Sequence, residues 1–428
     1  MKRILAILGL AMASLIAYAQ EGAWHGELVV QGTKLPLVFH FDADGCTMDS
    51  PNQGARGIKA EKSFTSDGKV KVEVPAIGAS FEGFMVMNMI TGTFTQGPVA
   101  LPLTLKPGEP KRNRPQTPKA PFPYKTEEVT FTNDGFTFHG TLTLPEGCSK
   151  DTPVLVMVTG SGQQNRDEEL MDHKPFAVIA DALAREGIAT MRFDDRGYDV
   201  PAFPVLDFTV NDHAKDAEAG VALMRKRFNR VGAIGHSEGG TIALMLASEG
   251  KVDFCVSLAG MAVSGKETLL EQNRTTLSSI GLPKPDVDAY CDAIGKAFDD
   301  MAKGKAVEDV DDSKVPMVLK ENFGLALQQL STPYMRELLK HDVRASLSKV
   351  SCPVLALNGK RDTQVNWELN LDAIDKGLTN SKHEVVSMDD LNHLFQHCQT
   401  GLPNEYPMIE ETFAPEALQM IVEWIKGL

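Results

Sequence analysis

The sequence predicts two folded parts: a small all-β domain and, behind a proline-rich linker, a larger doubly wound α/β domain with a mostly parallel sheet and a helical cap. Three observations carry this. Trp24 to Leu105 runs as short alternating segments such as Glu27-Leu28-Val29-Val30, Leu35-Pro36-Leu37-Val38-Phe39 and Lys69 to Val74, broken by Gly, Asp and Asn, which is the period-2 pattern of half-buried strands. Lys106 to Tyr124 holds six prolines and five Lys/Arg, a composition that favours extended chain and packs no core. Beyond it, nearly all-apolar runs alternate with amphipathic stretches of helical period, as parallel strands buried on both faces require.

The N-terminus reads as an export signal. Met1-Lys2-Arg3 is basic, Ile4 to Ala17 is apolar, and Ala17-Tyr18-Ala19 gives a small-x-small cleavage pattern. Residues 1–19 are therefore expected to be removed, leaving a secreted or periplasmic protein. No cysteine follows the cleavage pattern to carry a lipid. No later run of about 18 apolar residues is present, so a spanning helix is not expected. Residues 20–105 form the β domain, 106–124 the linker, and 125–428 the α/β domain.

Within that last part, a hairpin is predicted from Val129–Phe131 to Phe136–Leu144 across Asn133-Asp134-Gly135. The parallel strands are expected at Pro153–Val158, Ala189–Phe193, Val231–Gly235, Phe254–Leu258, Pro353–Leu357 and His383–Ser387. Lys174–Arg185, Val210–Arg227, Gly239–Ala247 and Ala414–Ile425 supply helices between or after them. The interval from Leu258 to Pro353 is too long for one crossover. Its helix-forming stretches, Asp286–Met301 and Val315–Leu330, predict a cap over about residues 263–348.

Composition excludes several roles. The 428-residue chain is 43% hydrophobic and 23% charged, enough to fill cores and unlike a disordered polymer. Its net charge is −14, and loss of Lys2 and Arg3 would make it more acidic, a poor match for a phosphate backbone. Nucleic acid is not an expected partner. Cys46, Cys148, Cys255, Cys291, Cys352 and Cys398 are scattered, with no CxxC or finger spacing, so neither a disulfide framework nor a zinc site is predicted.

The chemistry concentrates around Gly235-His236-Ser237-Glu238-Gly239, a G-x-S-x-G pattern between the strand Val231-Gly232-Ala233-Ile234 and a helix. A tight turn that projects one side chain leaves no room for Cβ atoms at its flanks, which accounts for the two glycines. Ser237 is the candidate nucleophile, and a serine hydroxyl needs a base and an acid that orients the base. In this context the partners follow in the order acid, then histidine, each in a loop past a strand. Asp362 follows Leu355-Ala356-Leu357-Asn358-Gly359-Lys360-Arg361, and His393 follows Asp389-Asp390-Leu391-Asn392. Asp389, Asp390 and His397 are nearby rivals, while His383 begins a strand, away from the carboxyl edge where ligands bind. An oxyanion hole would use the backbone N–H of Glu238 and one from Thr159-Gly160-Ser161-Gly162-Gln163: that of Ser161, with Gln163 as the alternative.

The remaining features have plainer readings. Arg166-Asp167-Glu168 and Asp195-Arg196-Gly197 are expected to brace loops. His393 and His397 lie four apart, but no third ligand or zincin glutamate accompanies them, so no metal is assigned. His236 is a neighbour in the turn and not a base. Tyr290, Phe298, Met301, Phe323 and Tyr334 of the cap could line an acyl pocket, but apolar residues at helical spacing are more often core and they are left unassigned; Trp24 is read as an anchor of the β core.

The chain resembles the exported α/β-hydrolase family that joins a β-rich N-terminal domain to a capped serine esterase domain. Four stretches carry the resemblance: Thr159 to Glu168, Phe193-Asp194-Asp195-Arg196-Gly197, Gly235 to Gly240, and Asp362 with Asn392-His393. Met48-Asp49-Ser50-Pro51-Asn52-Gln53-Gly54 resembles the companion domain. Family members usually continue Asp-Arg-Gly with Gly-x-Ser, whereas Tyr198-Asp199-Val200-Pro201 stands here. The resemblance implies hydrolysis of a small-molecule or glycan-linked carboxylic ester through an acyl-enzyme, without a cofactor. The same triad cleaves amides, which leaves a prolyl-oligopeptidase-like or aminopeptidase alternative, and a binding protein on an idle hydrolase scaffold is the non-enzymatic one.

Overall fold

The computed structural model describes residues 21–428 except 31, 32, 44, 52–54, 66, 111, 199, 201, 380 and 381. The expected signal peptide and part of the Met48–Gly54 stretch therefore lie outside the described residues. The chain divides into two compact units, Met1–Asn113 with Pro403–Glu410, and Arg114–Leu402 with Glu411–Leu428.

The first unit is a closed antiparallel barrel of eight consecutive strands: β1 (Gly22–Val30), β2 (Thr33–Phe41), β3 (Cys46–Ser50), β4 (Ala55–Phe64), β5 (Lys69–Val74), β6 (Ala79–Val86), β7 (Met89–Gln96) and β8 (Val99–Pro107). Pairing of β1 with both β2 and β8 closes it, which removes the open edges a lone sheet would expose. The alternation seen in sequence becomes inside and outside. In β5, Val70, Val72 and Val74 are buried while Lys69, Lys71 and Glu73 face out. Trp24, Phe39, Phe41, Phe81 and Phe94 fill the interior.

The second unit is an α/β sandwich. Its sheet runs β16-β15-β14-β13-β11-β12-β10-β9, built from β9 (Lys125–Asn133), β10 (Phe136–Leu144), β11 (Val154–Val158), β12 (Ala189–Phe193), β13 (Val231–His236), β14 (Cys255–Leu258), β15 (Val354–Gly359) and β16 (His383–Met388). The strands from β11 onward are mutually parallel, and β10 runs antiparallel to both β9 and β12. Around the sheet lie α1 (Pro175–Arg185), α2 (Val210–Arg225), α3 (Glu238–Ser248), α4 (Gly265–Ser279), α5 (Lys284–Ala302), α6 (Lys320–Leu330), α7 (Pro333–Leu338), α8 (Arg344–Leu347), α9 (Trp367–Gly377) and α10 (Pro415–Lys426).

Successive side chains on a strand point to opposite faces, and each face has its own core. Leu155, Met157, Ile234, Val256, Leu355 and Leu357 pack with Phe176 and Ile179 of α1 and Ile421 and Ile425 of α10. Val154, Val156, Ala233, Val354 and Ala356 pack with Ala217 and Val221 of α2, Ile242 and Leu246 of α3, and Ile374 of α9. This double burial is what made the strands read as continuous apolar runs.

The cap comprises α4 to α8, inserted between β14 and β15, and Val287, Tyr290, Phe298, Met301 and Phe323 form a core of its own. The helix expected from Val315 starts as α6 only at Lys320; Pro316 instead caps a short 3₁₀ turn, Met317–Leu319. Helix α9 has no counterpart among the expected helices: it buries little more than Asn370, Leu371 and Ile374 and so presents a thin apolar stripe. The proline-rich segment also differs from a free spacer. From Arg114 on it belongs to the second unit. Gln116 accepts the N–H groups of Thr412 and Phe413 at 2.5 and 3.0 Å and donates to the Phe413 carbonyl at 2.7 Å.

Candidate active site

Ser237 sits at the carboxyl end of β13, near the middle of the sheet, with φ 55° and ψ −120°, immediately before α3. A residue with a side chain rarely adopts this backbone. It is held by the Ser237 N–H donating to the Leu258 carbonyl at 2.8 Å and by crowding on both sides. A Cβ on Gly235 would fall 2.0 Å from the Gly239 carbonyl oxygen, and one on Gly239 would fall 2.0 Å from that of Val158. Only glycine fits either place.

Asp362 and His393 lie in the loops after β15 and β16. His393 Nδ1 is 2.7 Å from Asp362 Oδ2. The other oxygen, Oδ1, accepts the N–H groups of Gln364 and Val365 at 2.8 and 2.9 Å, so the carboxylate's orientation is fixed from behind. The His393 loop is pinned by Asn392, whose Oδ1 accepts from the N–H groups of Leu394 and Gln396 at 2.9 and 3.0 Å. Ser237 and His393 line one cavity of about 430 Å³, together with Gly160, Ser161, Gln164 and Glu168 below and Met261, Leu269, Tyr334, Met335 and Leu338 on the cap side. A carboxylate bonded to Nδ1 leaves Nε2 as the ring's lone-pair nitrogen, the form a general base needs.

The rivals go elsewhere. The Asp389 side chain is 79% exposed and pairs with Lys360, whereas that of Asp362 is fully covered. Asp390 pairs with Arg361. His397 is engaged by Glu411 and Glu416, each at 2.9 Å. Of the two oxyanion candidates in the loop after β11, Ser161 lines the cavity and Gln163 does not; the Gln163 amide donates to the Arg196 carbonyl at 3.2 Å. The N–H of Glu238 opens α3, where no carbonyl of the preceding turn is available to it.

Both charged clusters brace loops. Arg166 forks onto Asp194 and reaches Glu128 and Thr141. Arg196 makes a buried bidentate pair with Asp216, at 2.9 and 2.8 Å, between the rings of Phe136 and Phe208. Asp195 accepts from Thr159 Oγ1 at 2.6 Å and the Gln164 N–H at 2.7 Å. Full burial pushes its carboxyl up to about 7, against the opposing pull of those two donors.

Several residues read as bystanders take part in the site. Glu168 is buried on the cavity wall, and its Oε1 accepts the Gly160 N–H at 2.7 Å and faces His236 Nδ1 at 3.0 Å. His236 Nε2 donates to the His393 carbonyl at 2.8 Å. The Glu238 side chain is engaged by the Tyr334 hydroxyl, by His213 Nδ1 at 3.0 Å and by Ser161 Oγ at 3.3 Å. Burial followed by the Glu238 charge holds the Tyr334 phenol well above its ordinary range. For His213, burial opposes the cation, but the hydrogen bond and charge of Glu238 with the charges of Asp195 and Asp216 together outweigh it, so its pKa is raised. These partners lie far apart in sequence and follow no local period; Glu168, His236 and Glu238 stand in the two conspicuous motifs, whereas His213 and Tyr334 carry no such signal. Tyr334 is a buried core residue that also lines the cavity, and it joins the cap to the turn carrying Ser237.

No family model matches the chain. It is 27% identical over 275 residues to esterase EstD of Thermotoga maritima, an alignment covering 64% of this chain and 61% of the relative, so the chain spans under two thirds of that protein's length. Similar solved structures include Est1E from Butyrivibrio proteoclasticus, at 16% identity and TM-score 0.40 over 70% of this chain and 99% of that one. The Pyrococcus furiosus esterase Pf2001 gives 16% and 0.42 over 72% and 93%. A dienelactone hydrolase from Anabaena variabilis gives 16% and 0.41 over 71% and 98%. Strand order, the antiparallel second strand, and a serine turn between the fifth strand and its helix establish the second unit as an α/β-hydrolase fold carrying a helical cap.

Proposed function

We propose that this protein is a serine hydrolase of carboxylic esters, with Ser237 as nucleophile, His393 as general base and acid, and Asp362 as the group that orients His393. The observation that carries the reading is the buried His393 Nδ1–Asp362 Oδ2 bond of 2.7 Å, in a loop whose histidine shares one cavity with the strained Ser237. His393 Nε2 takes the Ser237 hydroxyl proton as Oγ attacks the ester carbonyl carbon. The developing oxyanion is met by the N–H groups of Glu238 and Ser161. The C–O bond to the alcohol then breaks, and Nε2–H delivers the proton to the leaving oxygen. Water, deprotonated by Nε2, hydrolyses the acyl-enzyme and restores Ser237.

The cavity's side chains favour an ester over an aminoacyl amide. A substrate ammonium group wants an available carboxylate. Glu238 is saturated by Tyr334, His213 and Ser161, while Glu168 Oε1 is shared between Gly160 and His236 and its Oε2 is buried. Met261, Leu269, Met335 and Leu338 with Gln164, Gln272 and Gln329 suit a neutral acyl group on a small-molecule or glycan-linked ester. The similarity to a protein named esterase points the same way. Met1 to Ala19 is proposed as an export signal, placing the enzyme outside the cytoplasm; N-terminal sequencing of protein released from cells should begin at Gln20.

The test pits p-nitrophenyl butyrate against leucine p-nitroanilide at equal concentration. Ester turnover with negligible anilide cleavage is expected. Preference for the anilide would overturn the ester reading in favour of an aminopeptidase.

A further inference from the structure

We propose that Glu168 and His236 are positioning residues, which clamp the loop of the base and the loop of the oxyanion hole to the turn of the nucleophile. The inference rests on the serine-hydrolase reading of Ser237, Asp362 and His393.

His236 precedes Ser237, so its backbone belongs to the nucleophile's turn. Its two ring nitrogens point to two different loops. A backbone carbonyl only accepts, so Nε2, 2.8 Å from the His393 carbonyl, carries a hydrogen and donates it. That bond ties the backbone of the base directly to the strand end of the nucleophile. Nδ1 lies 3.0 Å from Glu168 Oε1, and the same oxygen accepts the Gly160 N–H at 2.7 Å. The Gly160 N–H belongs to the Thr159–Gly160 peptide, directly before the peptide that carries the Ser161 N–H, so the carboxylate anchors the oxyanion loop one peptide upstream of that donor.

With a hydrogen on Nδ1 as well, His236 donates through both nitrogens, a form that the neighbouring acceptors Glu168 Oε1 and the His393 carbonyl favour. The groups facing it are Glu168 from the loop after β11, His393 and Asp362 from the loops after β16 and β15, and the edge of the Phe395 ring. Burial opposes the cation, but the Glu168 charge and hydrogen bond, the His393 carbonyl and the Asp362 charge together outweigh it, raising the His236 pKa.

The arrangement is poor as a stabilising device. Glu168 Oε2 is buried without a hydrogen-bond partner, a deficit native cores generally avoid. Glu168 also carries φ 51°, an uncommon backbone for a residue with a side chain. What the pair achieves is geometric. One imidazole and one carboxylate oxygen connect three separately folded segments, and catalysis depends on such groups being held in place before the reaction.

Two substitutions separate the limbs of the clamp. The amide nitrogen of His236→Gln reaches roughly where Nε2 stands, keeping the bond to His393 and releasing Glu168. That of His236→Asn stands near Nδ1, with the opposite outcome. Glu168→Gln keeps the shape and removes the charge. Each variant is measured for kcat and KM on p-nitrophenyl acetate, for the rate at which a fluorophosphonate labels Ser237, and for Tm. Displacement of a catalytic group by a fraction of an ångström predicts kcat and labelling rates lowered about 10- to 100-fold, with KM changed less than about threefold. The double variant Glu168→Gln with His236→Gln should be no slower than the slower single one, because both break the same limb.

Wild-type kcat and labelling rate in the three folded single variants would overturn the proposal, as would losses that multiply in the double variant. If one variant fails to fold, the others still read the clamp. The two readings fail differently. A wild type that is labelled at Ser237 but hydrolyses no ester, with variants labelled at least tenfold more slowly, removes the ester reading and keeps the clamp. A wild type that Ser237 labelling never detects overturns both.

Discussion

Asp362→Asn is a test whose outcome the geometry determines in detail. Asp362 Oδ1 accepts two backbone N–H groups, from Gln364 and Val365, and Oδ2 accepts His393 Nδ1–H at 2.7 Å. An asparagine must choose which of those positions its oxygen takes. With nitrogen in the Oδ1 position, two buried N–H donors would lose their acceptor, at about 1–3 kcal/mol each. Oxygen therefore stays behind and the NH₂ faces His393. Two donors cannot share one contact, so the imidazole shifts its hydrogen from Nδ1 to Nε2, and the nitrogen that should receive the serine proton is already protonated. For a triad of this kind the expected loss in kcat is about 10⁴-fold, or roughly 5.5 kcal/mol of transition-state stabilisation. Steady-state hydrolysis of p-nitrophenyl butyrate measures it, with thermal unfolding as the control. Tm should change little, since the side chain keeps its shape and its backbone contacts. Retention of more than a tenth of wild-type kcat would refute the reasoning, as would an equal loss from Asp389→Asn.

Two further predictions concern the surroundings of the triad. The Asp195 carboxyl, at 3.8 unfolded and about 7 in the buried folded site, stabilises fully below pH 3.8, and its contribution is lost as pH rises towards 7. Asp195→Asn lacks that slope, so its stability relative to wild type should rise between pH 4 and 7 by an amount on the order of 4 kcal/mol and then level off; denaturant unfolding that shows a pH-independent difference would contradict this. Tyr334→Phe removes the hydroxyl that donates to Glu238; loss of a charge-assisted hydrogen bond costs about 1.5–3 kcal/mol, so Tm should fall by several degrees and KM should rise as the cap loosens. Unchanged Tm and KM together would mean that the contact does not hold the cap.

The parts of this fold that sequence revealed are those written in local pattern. Strands β11 and β13 to β15 are nearly all apolar because both sheet faces are covered there, and Ser237 stands between glycines that the turn's crowding makes obligatory. Asp362 and His393 could be placed because each follows a strand by a few residues. Closure of the barrel was not legible, since it depends on β1 meeting β8 across the whole domain. Helix α9 was missed for want of a wide apolar stripe. The polar network escaped for a related reason. His236 meets Glu168 and His393 across 68 and 157 residues of chain, and Tyr334 meets Glu238 across 96. Hydrogen-bond partners at such separations leave no periodic trace. That Ser161 lines the cavity while Gln163 does not is likewise a matter of tertiary structure alone.

The central claim is that Ser237 forms an acyl-enzyme with an ester. Mixing the mature protein with p-nitrophenyl butyrate, quenching in acid within the first turnover and mapping the added mass by peptide mass spectrometry tests it most directly, beside Ser237→Ala. The account predicts one butyryl group, on Ser237, formed in step with p-nitrophenol release and absent from a folded Ser237→Ala protein that shows no turnover. Undiminished ester hydrolysis by Ser237→Ala, or acylation at a different residue, would contradict it.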